Sequence, residues 1–185
     1  MGRIGKIILM KNNKLIIILS IIILSISTSA FAANPDWVLQ HTKDTPGVIN
    51  KAVTQDNINS NICKVGWTAT IRPTVTYTNK LKDDQLKTTY ADYVKIWGPK
   101  ASSYEEDHLI SLQLGGDPKD PKNLFPQPYA GNNARKKDVV ETKLKKLVCA
   151  GTIKLVDAQK MISTDWASAY KKYASKDTVV EDLDN

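Results

Sequence analysis

The chain has little of what usually marks a metalloprotein or a small disulfide scaffold. Two cysteines and two histidines occur in 185 residues. Neither cysteine belongs to a Cys-x-x-Cys, so a four-thiolate zinc site is excluded. Beyond the first 32 residues no apolar run approaches the ~20 residues that a spanning helix needs. No cysteine follows the N-terminal apolar run, which argues against a lipid anchor. No internal repeat is present.

What is there begins with a leader. Arg3, Lys6, Lys11 and Lys14 precede an apolar run from Leu15 to Ile26, and Ala30-Phe31-Ala32 forms an A-x-A site. This is the pattern of a secretory signal peptide over residues 1–32, cleaved before Ala33, and it places the protein outside the cytoplasm, periplasmic or secreted. Removing the leader leaves 153 of the 185 residues, and its four positive charges take the net charge from +7 to +3. That length is enough for one domain with its own core. The mildly basic balance suits a polyanionic partner without demanding one. In an exported chain the even cysteine count predicts a disulfide, Cys63 to Cys149.

Residues 33–62 read as an irregular N-terminal arm, 63–175 as the folded domain and 176–185 as an acidic tail. In "GWTATIRPTVTYT", threonines and Arg72 alternate with Trp67, Ala69, Ile71, Pro73, Val75 and Tyr77. Period two predicts an N-terminal edge strand or bent strand pair, with Arg72 on its polar side, either solvated or a phosphate contact. "LKDDQLKTTYADY" predicts a short helix with Leu81, Leu86 and Tyr90 or Tyr93 inward. "DHLISLQL" and "NLFPQP" predict two short strands, joined through the turn-rich "GGDPKDPK". From Ala134 to Val148 a stripe of Val140, Leu144, Leu147 and Val148 predicts a helix with lysines on its other side, ended at Gly151. A second helix follows, with Ala158, Met161, Ile162, Trp166, Ala169 and Tyr173 inward.

The chemistry concentrates between Tyr104 and Asp138. His108 stands beside Asp107 at the head of an apolar segment. Strand parity puts His108 with Ile110, Leu112 and Leu114, and Asp107 on the opposite face. Both reach one site only if regular alternation fails at that point. A carboxylate suits a hard cation such as magnesium, which keeps most of its waters. An adjacent imidazole can take a proton from an attacking water near neutral pH. Asn123, Asn132 or Asn133 can supply neutral oxygens or orient the imidazole. The same residues also serve plainer ends: a packed core histidine, an asparagine turn and N-cap, and a tight Gly115-Gly116 turn.

The ordered set "DHLISLQLGG…NLFPQ…NNARKKD" resembles the HNH, or ββα-metal, endonuclease superfamily. "TPGVINKAVTQDNINSNICKVGWTATIRPTVTYT", "YEEDHLI" and "VCAGTIKLVDAQKMISTDW" extend the resemblance to a group of exported bacterial HNH-like proteins, over roughly Thr45 to Trp166. It implies an α+β fold with a ββα-metal core, additional N-terminal strands and C-terminal helices. It further implies metal-dependent hydrolysis of nucleic acid phosphodiesters. His108 then matches the general base and Asn123 the residue that orients it and stabilises the loop. Asp107 and Asn133 match ligands of a divalent cation, Mg2+. Asn132 competes with Asn133, and Glu105 assists the site. Arg72, Arg135, Lys136 and Lys137 are the expected nucleic-acid contacts of a monomer that, once processed, has no membrane partner. Ser111 departs from the proline frequent at its position, and the zinc-binding cysteine pairs of many relatives are missing. The rival expectations are a non-catalytic module that grips nucleic acid or another polyanion, and a structural envelope protein.

Overall fold

Between Trp67 and Lys87 the backbone contradicts the expected strand. Arg72 is extended, as a residue before proline is biased to be, and it ends a short helix, α1 (Trp67–Ile71). Pro73 is buried, and Thr74 then caps a long helix, α2 (Val75–Lys87), its hydroxyl accepting from the Tyr77 amide at 3.3 Å. The threonines that looked like a strand's polar face instead bond their hydroxyls back along the helices. Thr70 donates to the Trp67 carbonyl and Thr78 to that of Val75. Local side-chain bonding of this kind lets threonine serve either element. A third helix, α3 (Ala91–Trp97), follows after a tight turn. Leu86, Tyr90 and Tyr93 are buried as expected, whereas Leu81 is only half-buried.

The computed structural model describes residues 37–175, which belong to one compact unit. The leader and the acidic tail lie outside the described residues. The fold is α+β. Two strands, β1 (Tyr104–His108) and β2 (Leu124–Pro128), pair antiparallel with Tyr104 opposite Pro128 and His108 opposite Leu124. β1 ends at His108, earlier than "DHLISLQL" predicts; Leu112–Leu114 is a 3-10 turn capped by Ser111. The expected parity of His108 with Ile110, Leu112 and Leu114 therefore does not apply. Two long helices complete the unit, α4 (Asn133–Cys149) and α5 (Leu155–Tyr173). No described helix is long and apolar enough to cross a membrane.

The α4–α5 pair carries the larger core. Val140, Leu144 and Val148 meet Leu155, Ala158, Ile162 and Trp166, all at most 3 % exposed. Fully burying one such aliphatic side chain is worth roughly 1.5–3 kcal/mol. Leu147, Met161 and Tyr173 are only half-buried. A second core gathers Tyr90, Tyr93, Tyr104, Leu109 and Phe125 beneath α2 and α3. The arm is less irregular than expected. The Asn50 amide donates to the Gly115 carbonyl and the Asp117 amide to the Val48 carbonyl, around an Ile49–Gly116 bridge. Its Val38 amide donates to Asn133 Oδ1 at 2.9 Å, and its Val38 carbonyl accepts from Trp166 Nε1 at 3.0 Å. Cys63 and Cys149 are joined across 86 residues. In the chain-entropy picture such a closure stabilises by up to about 4–5 kcal/mol.

The Gly115-Gly116 pair has two separate reasons. Gly115 has a left-handed backbone (φ 76°), which glycine adopts at no steric cost. At Gly116 a Cβ would fall 1.7 Å from the Ile110 carbonyl oxygen and 2.8 Å from Asn123 Nδ2. Gly116→Ala should therefore cost at least about 3 kcal/mol, the upper end of ordinary overpacking, because backbone has to move. Urea denaturation monitored by circular dichroism checks this; a loss under about 1 kcal/mol would show that the loop is more yielding than its packing implies.

Candidate active site

The end of β1 is fastened from three directions. Asn123, fully buried just before β2, accepts from the Ile110 amide and, at 3.3 Å, from that of Val48. Its Nδ2 donates to the carbonyls of Ile110 and Asp117. The side chain thus joins β1's exit, the glycine loop and the arm. Asn123 has no bond to His108 itself, so the expected orienting contact is indirect. The loop residue next to Asp117 is Pro118, and its carbonyl accepts from His108 Nε2 at 3.0 Å. A carbonyl only accepts, so Nε2 carries the proton and Nδ1 of the neutral ring is left as an acceptor. Burial pushes the His108 imidazole below its ordinary range; the Pro118 bond and Asp107 oppose this, while Lys137 and Arg72 add to it. The ring is therefore neutral and competent to accept a proton at pH 7.

Lys137 is the largest correction to the expected roles. It is not a nucleic-acid contact, because its side chain is wholly buried. Its ammonium donates to Asp107 Oδ2 and to the His108 carbonyl, both at 2.7 Å, and to Glu141 Oε1. All three protons of the ammonium are used. Burial alone would lower the Lys137 pKa, but Asp107 and Glu141 outweigh it and hold the group above the ordinary lysine range. Burial pushes the Glu141 carboxyl up, against the pull of Lys137. The sequence signal was present: 137, 141, 144 and 148 follow the helical repeat, so Lys137 and Glu141 sit on the same stripe as Leu144 and Val148.

Around this knot lies a polar cleft of about 220 Å3. Asp107 and His108 line it together, because they sit where β1 stops and alternation lapses. Glu105, Asp138 and Glu141 line the same cleft. Burial first, and then the nearby Asp107, raise both the Glu105 and the Asp138 carboxyls. Arg72 lines it as well, joined by Lys64 and Lys145, which the motif did not single out. Arg135 and Lys136 do not line it. Arg135 pairs with Asp138 at 3.2 Å on the surface, and Lys136 lies over the Trp37 ring at 4.4 Å.

The implied metal set is not assembled. Asn133 is fully buried and its amide is committed, Oδ1 to the Val38 amide and Nδ2 to the Ala130 carbonyl. Asn132 is the exposed, left-handed N-cap of α4 (φ 57°). One Asp107 oxygen is held by Lys137. Among the described residues no group of three or more His, Cys, Asp or Glu side chains is placed to hold a metal ion. The donors that the resemblance names therefore do not fit a metal in this arrangement, and no chemical step is assigned to one.

One acid stands apart. Both carboxylate oxygens of Glu106, on β1, are buried without a hydrogen-bond partner. Burial, then Asp107, push its pKa up to about 9, against Lys82. The folded state binds this proton more tightly than the unfolded chain. Ionisation of Glu106 thus takes nothing from stability below about pH 4.5 and becomes a growing liability as pH rises toward about 9. Glu106→Gln should raise the melting temperature at pH 8 and change it little at pH 4; equal shifts at both would show that ionisation is not the cause. Lys137→Met should destabilise by about 3–5 kcal/mol, because it strands the buried Glu141 carboxylate and the part-buried Asp107. Arg135→Ala, which breaks an exposed pair, should cost at most about 1 kcal/mol. Urea titrations of the two variants compare these directly; near-equal losses would mean that the buried knot carries no special weight.

Comparison with protein-family models, with curated proteins and with solved structures finds no match to the chain.

Proposed function

We propose that this protein is an exported hydrolase of nucleic acid phosphodiester bonds, built on a ββα core formed by β1, β2 and α4. The observation that carries the reading is the state of His108. Its ring is held at Nε2 by Pro118, kept neutral by burial, and borders a polar cleft beside Asp107. Such a ring has Nδ1 available to a water. In the reaction, Nδ1 takes a proton from that water as its oxygen attacks phosphorus. A bond from phosphorus to the attacking oxygen forms, the bond to the leaving sugar oxygen breaks, and the leaving oxygen gains a proton from solvent. Lys137 does not touch substrate; it holds Asp107 and the His108 backbone in place. The Cys63–Cys149 disulfide fits an oxidising compartment.

A second reading is a nucleic-acid-binding module that does not cut. It draws on the committed amide of Asn133 and the Lys137 pairing of Asp107, which leave the implied metal set unassembled.

Incubation of the protein with plasmid and with RNA, with chelator and with added magnesium, separates the two and reads any contribution of a divalent cation. His108→Ala should reduce cleavage at least on the order of a hundredfold, within the 10²–10⁴ typical of general-base catalysis. His41, stacked on Tyr90 at 4.3 Å and paired with Asp92, does not line the cleft, so His41→Ala is the control. Cleavage at near wild-type rate by His108→Ala protein would refute His108 as the base. Salt-sensitive retention without cleavage in the wild type would favour the binding module.

A further inference from the structure

The cleft is lined unevenly, and the unevenness has a structural origin. Its carboxylates come from β1 (Glu105, Asp107) and α4 (Asp138, Glu141). Two of its cations, Lys64 and Arg72, come from the segment that leaves Cys63 and runs through α1. The third, Lys145, comes from α4 one turn before Cys149. The Cys63–Cys149 bond therefore fastens the start of the cationic segment beside the helical turn that carries Lys145. At the other end of the segment, Pro73 is buried. Among the described residues, Lys64, Arg72 and Lys145 form no ion pair with a carboxylate, although four carboxylates border the same cleft. Lys137, by contrast, is fully spent on Asp107, Glu141 and the His108 carbonyl. The same segment contributes Gly66, with a left-handed backbone and open space where a Cβ would stand, and Thr68, which has a hydroxyl to donate.

From this arrangement we infer that Lys64, Arg72 and Lys145 form a phosphate-binding wall for a nucleic acid backbone, and that the Cys63–Cys149 disulfide keeps this wall facing His108. The inference rests on the nuclease reading for its ligand. A polyanion entering the cleft is repelled by the β1–α4 carboxylates and attracted by the unpaired cations, two on the α1 segment and the third on α4 one turn from Glu141, so its backbone is drawn toward Lys64, Arg72 and Lys145. The phosphates flanking the reacting one then supply the contacts, and His108 is left to the reacting group. Contacts of this kind position the strand and carry no sequence information. The wall therefore binds without base preference.

The test measures binding apart from cleavage. A fluorescent oligonucleotide with phosphorothioate linkages keeps the backbone charge and resists hydrolysis. Its affinity is measured by anisotropy between about 50 and 200 mM salt, the range over which phosphate contacts are strongly screened. Lys64→Ala, Arg72→Ala and Lys145→Ala should each lower the slope of log affinity against log salt by roughly 0.7–0.9, and the triple variant by about 2–3. Each should weaken binding uniformly across sequences. Lys160→Ala, on exposed α5 surface away from the cleft, should leave the slope unchanged. Reduction of the disulfide, under conditions where circular dichroism still shows the helices, should lower the slope as the triple variant does. A triple variant with the parental slope overturns the wall, even if the parent cuts ordinary DNA or RNA. A lowered slope in a protein that never cuts upholds the wall and removes the catalytic reading. An unchanged slope after reduction overturns the role given to the disulfide.

Discussion

One buried ammonium decides how β1 and α4 meet. Lys137 places three hydrogen bonds inside the protein, two to side chains on different elements and one to the backbone of His108. A charge so deep is tolerable only because both carboxylates compensate it; unpaired, it would lose several kcal/mol of hydration without return. The consequence is geometric. Asp107 and the His108 carbonyl, at the end of β1, are both held on α4. The carboxylates and the histidine of the cleft depend on this junction, since β1 and α4 supply them.

Around the knot the polar groups are divided by task. Asn123 uses its whole amide to bind backbone, tying the glycine loop to β1's exit, and so fixes Pro118 and through it the His108 tautomer. Asn133 spends its amide on the arm and on the turn before α4. Two asparagines that suit a catalytic pattern are thus both structural in their contacts. The neutral His108 ring, the cleft carboxylates and the unpaired cations that line the same cleft remain as the groups able to meet a ligand. Glu106 is the exception, because neither of its buried carboxylate oxygens has a hydrogen-bond partner among the described residues.

Much of this was legible from residue order alone. The apolar stripes of α4 and α5 run at helical spacing, and burial of Val140, Leu144, Ile162 and Trp166 follows from them. The proline-bounded "LFPQP" marks β2, and two cysteines with no metal-binding spacing mark a disulfide. The region of α1 and α2 was not legible. Threonines alternating with apolar residues satisfy a strand's period of two, and only the Thr74 cap, the bend at Pro73 and the packing of Leu86 and Gln85 under the sheet favour helix. Tertiary contact outweighs propensity at such borderline sequences.

Residue order alone sets which groups are available: a single Asp-His pair, a helix with a lysine and a glutamate four residues apart, and cations close to both cysteines. It can do so because helical spacing and side-chain chemistry are local properties. Which of those residues meet is settled by the packing of distant elements. Lys137 turns inward because its position on the α4 stripe meets Asp107 across the end of β1, and Asn133 turns toward the arm because Val38 reaches it from 95 residues away. Lys64 and Lys145 share a cleft because a bond spanning 86 residues brings their segments together. Such long-range pairings depend on the packing of whole elements, which no local pattern encodes.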